Sequence, residues 1–247
     1  MGVIWDRVWN SVKHTWLLYN VVVPVYMWFR ETCDSAVCPK MRALQQILNE
    51  VRPPSTRLAG IEFLEKKHNI KAKADGRDRY VFGVDLDEVY PGVFVGDEGA
   101  ARNVEYLKYL GITHVLNAAE GVGFGQVSTS AEFYRPHGLR YMGLMLEDVA
   151  STDMGSQFDP ASDFIEGALL QNGKILVHCL MGMSRSATLS VGFLMLRRGM
   201  TVEQALTQVR QHRGVRPNNG FLSQLIELDN RIRSEQAVLH EQYEHMM

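Results

Sequence analysis

The sequence predicts an α/β protein built on a central, mostly parallel sheet flanked by helices. From about Tyr80 onward, apolar runs of strand length alternate with segments of helical period. The run Ile175-Leu-Val-His-Cys179 is apolar almost throughout and ends in turn signals, as expected of a strand buried on both faces. In composition, 46% of the 247 residues are hydrophobic and 22% charged, which suffices for a full core.

The elements follow in order. Val93–Val95 reads as a short strand, and Ala100–Leu110 as a helix stopped by Gly111. His114–Ala118 and Tyr141–Leu146 read as further strands. Asp159-Pro160 reads as an N-cap followed by proline at the first helical position, opening a helix that runs to Gln171 and stops at Asn172-Gly173. After the 175–179 strand come helices over Ser186–Arg198, Thr201–His212 and Asn219 to about Gln236, the second opened by a Thr201/Gln204 capping box. Strands that alternate with helices place active sites at the carboxyl ends of the strands.

The chain divides into an apolar, amphipathic N-terminal extension (1–38), a linker with short helices (39–79), a catalytic domain (80–236) and a C-terminal tail (237–247). The linker carries Pro39, Pro53-Pro54 and a polar stretch from Lys71 to Arg79, with helices expected over Lys40–Val51 and around Gly60–His68. In the extension, Trp5, Trp9, Val12 and Trp16 share a helical face, and an apolar run from Trp16 to Phe29 follows. That run is broken by Asn20 and Pro24 and is shorter than the ~18 apolar residues of a spanning helix. Asp6 argues against a secretory leader and against a myristoylation signal. Three readings of the stripe stay open: docking as extra core, contact with a membrane interface or partner groove, and a cleaved or disordered leader.

Lysine and arginine number 26 against 28 acidic residues, a net charge of -2 that supplies no global field for nucleic acid or an anionic membrane. Any anion site is therefore local. Cys33, Cys38 and Cys179 form no disulfide framework and no zinc spacing, so a reducing, cytoplasmic or nuclear compartment is expected, and peripheral membrane association through the N-terminal segment stays open.

One segment carries chemistry: His178-Cys179-Leu180-Met181-Gly182-Met183-Ser184-Arg185-Ser186. A cysteine ends a buried strand, a glycine-containing loop follows, and an arginine stands six positions on, where a helix begins. Such a loop turns successive N–H groups inward and, with the helix N-terminus, cradles a phosphate dianion. Gly182 permits the turn, and the planar fork of Arg185 grips two phosphate oxygens. The same field lowers the thiol pKa, so Cys179 is expected to be a thiolate that attacks phosphorus and forms a cysteinyl-phosphate. His178 is expected to orient the loop, and Ser186 to donate to the sulfur and assist its departure. The chemistry calls for no metal and no cofactor.

These residues match the Cys-x5-Arg signature of the protein tyrosine phosphatase superfamily. The region from about Asp85 to Arg233 resembles the atypical dual-specificity phosphatases of the VHR-like group, with supporting matches at Val93–Asp97, Leu110–Glu120, Val209–Arg213 and Pro217–Phe221. The resemblance implies the cysteine phosphatase fold and hydrolysis of phosphotyrosine and phosphoserine or phosphothreonine in proteins, with mitogen-activated protein kinases as the substrate class. It also implies a general acid at Asp148, with Glu147 and Asp153 nearby as controls. Phe124 matches a position that packs an aromatic ring against the phosphotyrosine, although core packing explains an isolated aromatic as well. Arg213 matches a basic residue that receives a second phosphate, although a solvated helix-end cation is an equal reading. Leu180, Met181, Gly182, Met183 and Ser184 form the substrate-binding loop. Met181 and Met183 replace a glutamate and a tyrosine of the VHR-like loop, which makes the rim more apolar. Two other functions compete: a weakly active scaffold that binds phosphoproteins, and a phosphoinositide or RNA phosphatase. The latter usually calls for loop cations, and none is present. The sequence leaves the oligomeric state open.

Overall fold

The computed structural model describes residues 38–53, 79 and 82–246. The helix expected around Gly60–His68 and the N-terminal stripe lie outside the described residues.

Five strands form one sheet in the order β1-β2-β5-β3-β4. They are β1 (Leu86–Tyr90), β2 (Val93–Gly96), β3 (Ile112–Asn117), β4 (Arg140–Gly143) and β5 (Lys174–His178). Only the β1–β2 pair is antiparallel. The central strand β5 is buried from Ile175 to His178, in line with its unbroken apolar run. Strand β1, which the sequence pattern did not reveal, is an edge strand with buried Leu86 and Val89 and charged Asp87 and Glu88 between them.

Helices cover both faces. On one, α2 (Glu98–Arg102), α3 (Val104–Tyr109) and α4 (Ala131–Tyr134) close a core of Phe94, Tyr106, Leu107, Val115, Tyr134 and Leu176, among others. On the other lie α5 (Phe158–Leu170), α6 (Arg185–Arg198), α7 (Val202–His212) and α8 (Asn219–Met246), with α6 packed against α5, α7, α8 and β5. Helix α6 is buried from Arg185 to Met195, so it lacks the polar stripe of a surface helix.

Three expectations need correcting. The single helix over Ala100–Leu110 is two, broken at Asn103, whose backbone leaves helical geometry. The Asn103 side chain accepts from Tyr106 N and donates to Gly83 O, a local alternative to helix continuation. Helix α5 begins at Phe158, directly after a 3-10 turn over Gly155–Gln157, and its N-cap is Gln157 rather than Asp159. Pro160 falls at the third helical position, where an N–H has no intrahelical partner to lose. Helix α8 runs to Met246, through the segment read as a tail. The capping box at Thr201 and Gln204 is present as expected.

Preceding the sheet, α1 (Pro39–Glu50) buries Leu44 and Leu48. Arg210 Nε donates to Val51 O at 2.9 Å just beyond it, so residues 43–51 pack as part of the domain rather than as free linker.

Candidate active site

Strand β5 ends at His178, with Gly96 of β2 and Asn117 of β3 as its register partners. The chain then turns through Cys179–Ser184 into α6. Gly182 sits at φ +65, and a Cβ there would stand 2.4 Å from Gly96 O. Four successive carbonyls face outward onto fixed donors. Leu180 O accepts from Glu98 N at 3.0 Å, and Met183 O from Arg216 N at 2.8 Å. Met181 O and Gly182 O accept from Arg213 Nη2 and Nε at 3.2 and 2.8 Å. In a trans peptide the N–H points opposite its carbonyl, so the amides of residues 181–184 turn inward. The result is an anion cup of backbone N–H groups.

Cys179 lies at its floor, 1% exposed. Burial pushes the thiol pKa up, but the Ser186 hydroxyl and amide, the Arg185 charge and the Gly182 amide together outweigh it and bring it below the ordinary value. Ser186 Oγ donates to Sγ at 3.3 Å. Arg185, 3% exposed, is anchored by Nη1 to Leu146 O at 3.0 Å. His178 is fully buried, its pKa lowered to about 3 mainly by burial, so the ring is neutral near pH 7. Its Nδ1 lies 3.4 Å from Cys179 O.

Asp148 joins the cup from the loop after β4. Its Oδ1 accepts from Ser184 Oγ at 2.7 Å and from Asn218 Nδ2 at 3.0 Å, and its Oδ2 lies 3.6 Å from Arg185 Nε. Gln224 of α8 fastens the rest of the loop: its Oε1 accepts from Met154 N and Gly155 N, and its Nε2 donates to Thr152 O. The two neighbouring carboxylates are elsewhere. Glu147 is exposed, and Asp153 Oδ1 accepts from Ser156 N at the start of the 3-10 turn.

The structure corrects the reading of Arg213 as a solvated cation: it is 6% exposed and clamped by Asp85 and Asp87, with Nη2–Asp85 Oδ2 at 2.8 Å and Nη1–Asp87 Oδ2 at 2.9 Å. Its planar fork satisfies two carboxylates and two loop carbonyls at once. Arg79 Nη2 closes the cluster onto Asp87 Oδ1 at 2.6 Å. Phe124 does not pack in the core; its side chain is fully exposed. Met181 is exposed at the rim, whereas Leu180 and Met183 are half-buried.

Sequence reasoning missed Asp85, Asp87, Asn218 and Gln224 as site residues. The available signals were Asp85-x-Asp87, which alternates onto one face of an extended chain, and Asn218 within the Pro217-Asn-Asn-Gly turn. Among the described residues, no group of three or more His, Cys, Asp or Glu side chains is placed to hold a metal ion.

Comparison with known proteins agrees with this geometry. Human dual specificity protein phosphatase 26 is 48% identical over 148 residues, 60% of this chain and 68% of that protein. Human dual specificity protein phosphatase 13B is 48% identical over 151 residues, 61% of this chain and 75% of that one. Among solved structures, human DUSP28 is similar at 28% identity and TM-score 0.53, covering 60% of this chain and 95% of that chain. A mouse putative dual specificity phosphatase complexed with zinc tungstate gives 26% identity and TM-score 0.54, covering 61% and 90%. The profile of the dual specificity phosphatase catalytic domain matches residues 93–231, from the start of β2 into α8. With that match spanning strands β2 to β5, the cup and the Asp148 loop, the chain belongs to the dual specificity protein phosphatase family and acts on phosphoproteins.

Proposed function

We propose that Cys179 is the nucleophile and Asp148 the general acid in hydrolysis of phosphotyrosine and phosphoserine or phosphothreonine. The supporting observation is the set of outward-tied carbonyls, which aims the cup amides at the sulfur and at any phosphate above it. The thiolate attacks phosphorus in line, the P–O ester bond breaks, and Asp148 gives its proton to the departing oxygen. Arg185 and the inward amides stabilise the charge on the equatorial oxygens. Water then attacks the cysteinyl-phosphate, Asp148 takes up its proton, and the P–S bond breaks. The Ser186 hydroxyl stabilises the thiolate that leaves. Leu180, Met181, Gly182, Met183 and Ser184 hold the phosphate through their backbone, His178 supports the loop as a neutral ring, and Phe124 stands at the rim.

Mitogen-activated protein kinases are the substrate class supported by the family resemblance. Arg213, the residue expected to receive the second phosphate of such substrates, is already committed to two aspartates. A phosphoinositide or RNA substrate is disfavoured, since the loop residues 180–184 carry no cation.

The test is a turnover series. Cys179→Ser abolishes hydrolysis of an aryl phosphate while phosphopeptide binding persists. Asp148→Asn slows a phenolic leaving group of high pKa about 100-fold, and one of low pKa far less. Full activity in the first variant, or equal slowing in the second, overturns the assignment.

A further inference from the structure

The surface around the cup bears on which phosphoproteins the enzyme takes, an inference that rests on the phosphatase reading above. Strands β5, β3 and β4 are neighbours, run parallel and end at the same edge of the sheet. The loops that leave them share an unusual surface. Val122 and Phe124 follow β3, Met145 and Val149 follow β4, and Met181 follows β5, with exposures of 94, 108, 78, 46 and 59%. The loops are tied side by side, since Glu120 N donates to Leu144 O and Arg185 Nη1 to Leu146 O. Large apolar side chains left in water on adjoining loops mark a contact surface.

The charges of this edge point the same way. Residues 118–127 and 144–157 contain no lysine or arginine, but they hold Glu120, Glu147, Asp148 and Asp153. The cation of the cup, Arg185, is 3% exposed and lies inside it. One phosphate is therefore welcome at the centre, while over the loops after β3 and β4 a carboxylate or second phosphate meets apolar side chains and acidic groups.

We propose that this phosphatase selects phosphorylated segments whose side chains next to the phosphoresidue are aliphatic or aromatic, and that it discriminates against acidic flanks. The occupant of the rim is the substrate chain itself. A phosphate seated in the cup carries the adjoining residues across the three loops, where apolar flanks cover Val122, Phe124, Met145, Val149 and Met181 and remove them from water. The preference lies in the rim and leaves the phosphate chemistry unchanged.

The test uses the full chain and short phosphotyrosine peptides that differ only in their flanks: leucine or phenylalanine, serine or glycine, and glutamate. A dually phosphorylated Thr-Glu-Tyr peptide forms a fourth arm. Leucine or phenylalanine flanks are expected to raise kcat/KM about tenfold over serine or glycine, with the glutamate and dually phosphorylated arms lowest. Val122→Lys and Met145→Lys, each made singly at an exposed position, are expected to erase that order and to favour the acidic peptides. Equal kcat/KM across the flanks, a highest rate on either acidic arm, or an order unchanged in both variants overturns the proposal. Turnover of a small aryl phosphate by the unaltered protein is the control. If that also fails, the phosphatase reading falls; if it succeeds while the flank order is absent, only the rim assignment falls.

Discussion

Arg213 shows how much of the cup is set by a side chain that does not face it. Its guanidinium joins Asp85 and Asp87 of the β1 segment to the carbonyls of Met181 and Gly182, and so holds two of the four outward-turned peptide groups. Lysine keeps the charge but cannot reproduce five directed bonds. Arg213→Lys is expected to lower aryl phosphate kcat/KM about 100-fold, the scale of a small misplacement of reacting groups. The pH midpoint of Cys179 alkylation should move upward at the same time, because the Gly182 amide that favours the thiolate is no longer held. A general loss of folding does not shift that midpoint in the molecules that remain folded, so the titration separates positioning from stability. At this scale the sequence was legible where contacts are local. Cys179, Arg185 and Ser186 lie within one loop and helix start, and Asp148, expected from the family resemblance, stands beside Arg185 and Ser184. The pairing of Arg213 with Asp85 spans 128 residues, and neither a spacing rule nor a helical or strand period reports on it.

At the scale of elements, short helices prove to be governed by their caps. Helix α2 is opened by Asp97, whose Oδ1 accepts from Ala100 N at 2.8 Å although the residue is only 2% exposed. Burial raises its pKa to about 6, with Asp85 adding to the rise and the Ala100 amide and Arg213 opposing it. A carboxyl raised in the folded state binds its proton more tightly there than in the unfolded chain. Its contribution to stability is therefore full below the unfolded value of 3.8 and is lost as pH climbs through about 6. Asp97→Asn keeps a capping acceptor and removes the titration. The variant should match the parent near pH 4 and exceed it by about 3 kcal/mol above pH 7, on the conversion of a shift of roughly two units. Urea midpoints taken across that range check the prediction, and a constant difference between the proteins contradicts it. The same local forces explain what the pattern misjudged. Asn103 diverts its own backbone, the 3-10 turn takes over the start of α5 from Asp159, and β1 carries two adjacent charges between its buried Leu86 and Val89 that break its apolar pattern.

Across the whole molecule, the domain extends further than its catalytic motifs suggest. Leu44 is fully buried and Leu48 nearly so, and Arg216 Nη2 reaches Asn49 Oδ1 from the segment whose backbone holds Met183 O. Leu44→Ala is expected to cost about 2–5 kcal/mol through the cavity it leaves, read as a lower urea midpoint with an unchanged slope. Loss below about 1 kcal/mol would mean that α1 is an accessory rather than part of the core. The α/β class, the parallel sheet and the helix order were evident from alternation alone, because burial on both faces of β5 leaves a continuous apolar signature. The docking of α1 was not evident. A 12-residue helix between prolines has the local character of a linker, and only the three-dimensional partners of Leu44 and Leu48 reveal otherwise.

The outward-tied carbonyls also change how damage to this protein is to be interpreted. The donors that fix them come from Glu98, Arg213 and Arg216, in turn braced by residues as distant as Asp85, and none of these need touch a substrate. Loss of the Arg213 side chain, or a proline that removes the main-chain N–H of Glu98 or Arg216, can silence the enzyme while Cys179, Asp148 and Arg185 are intact. A clinical or genetic survey that equates inactivity with contact would therefore draw the substrate footprint too large, and would place part of it on the wrong side of the loop.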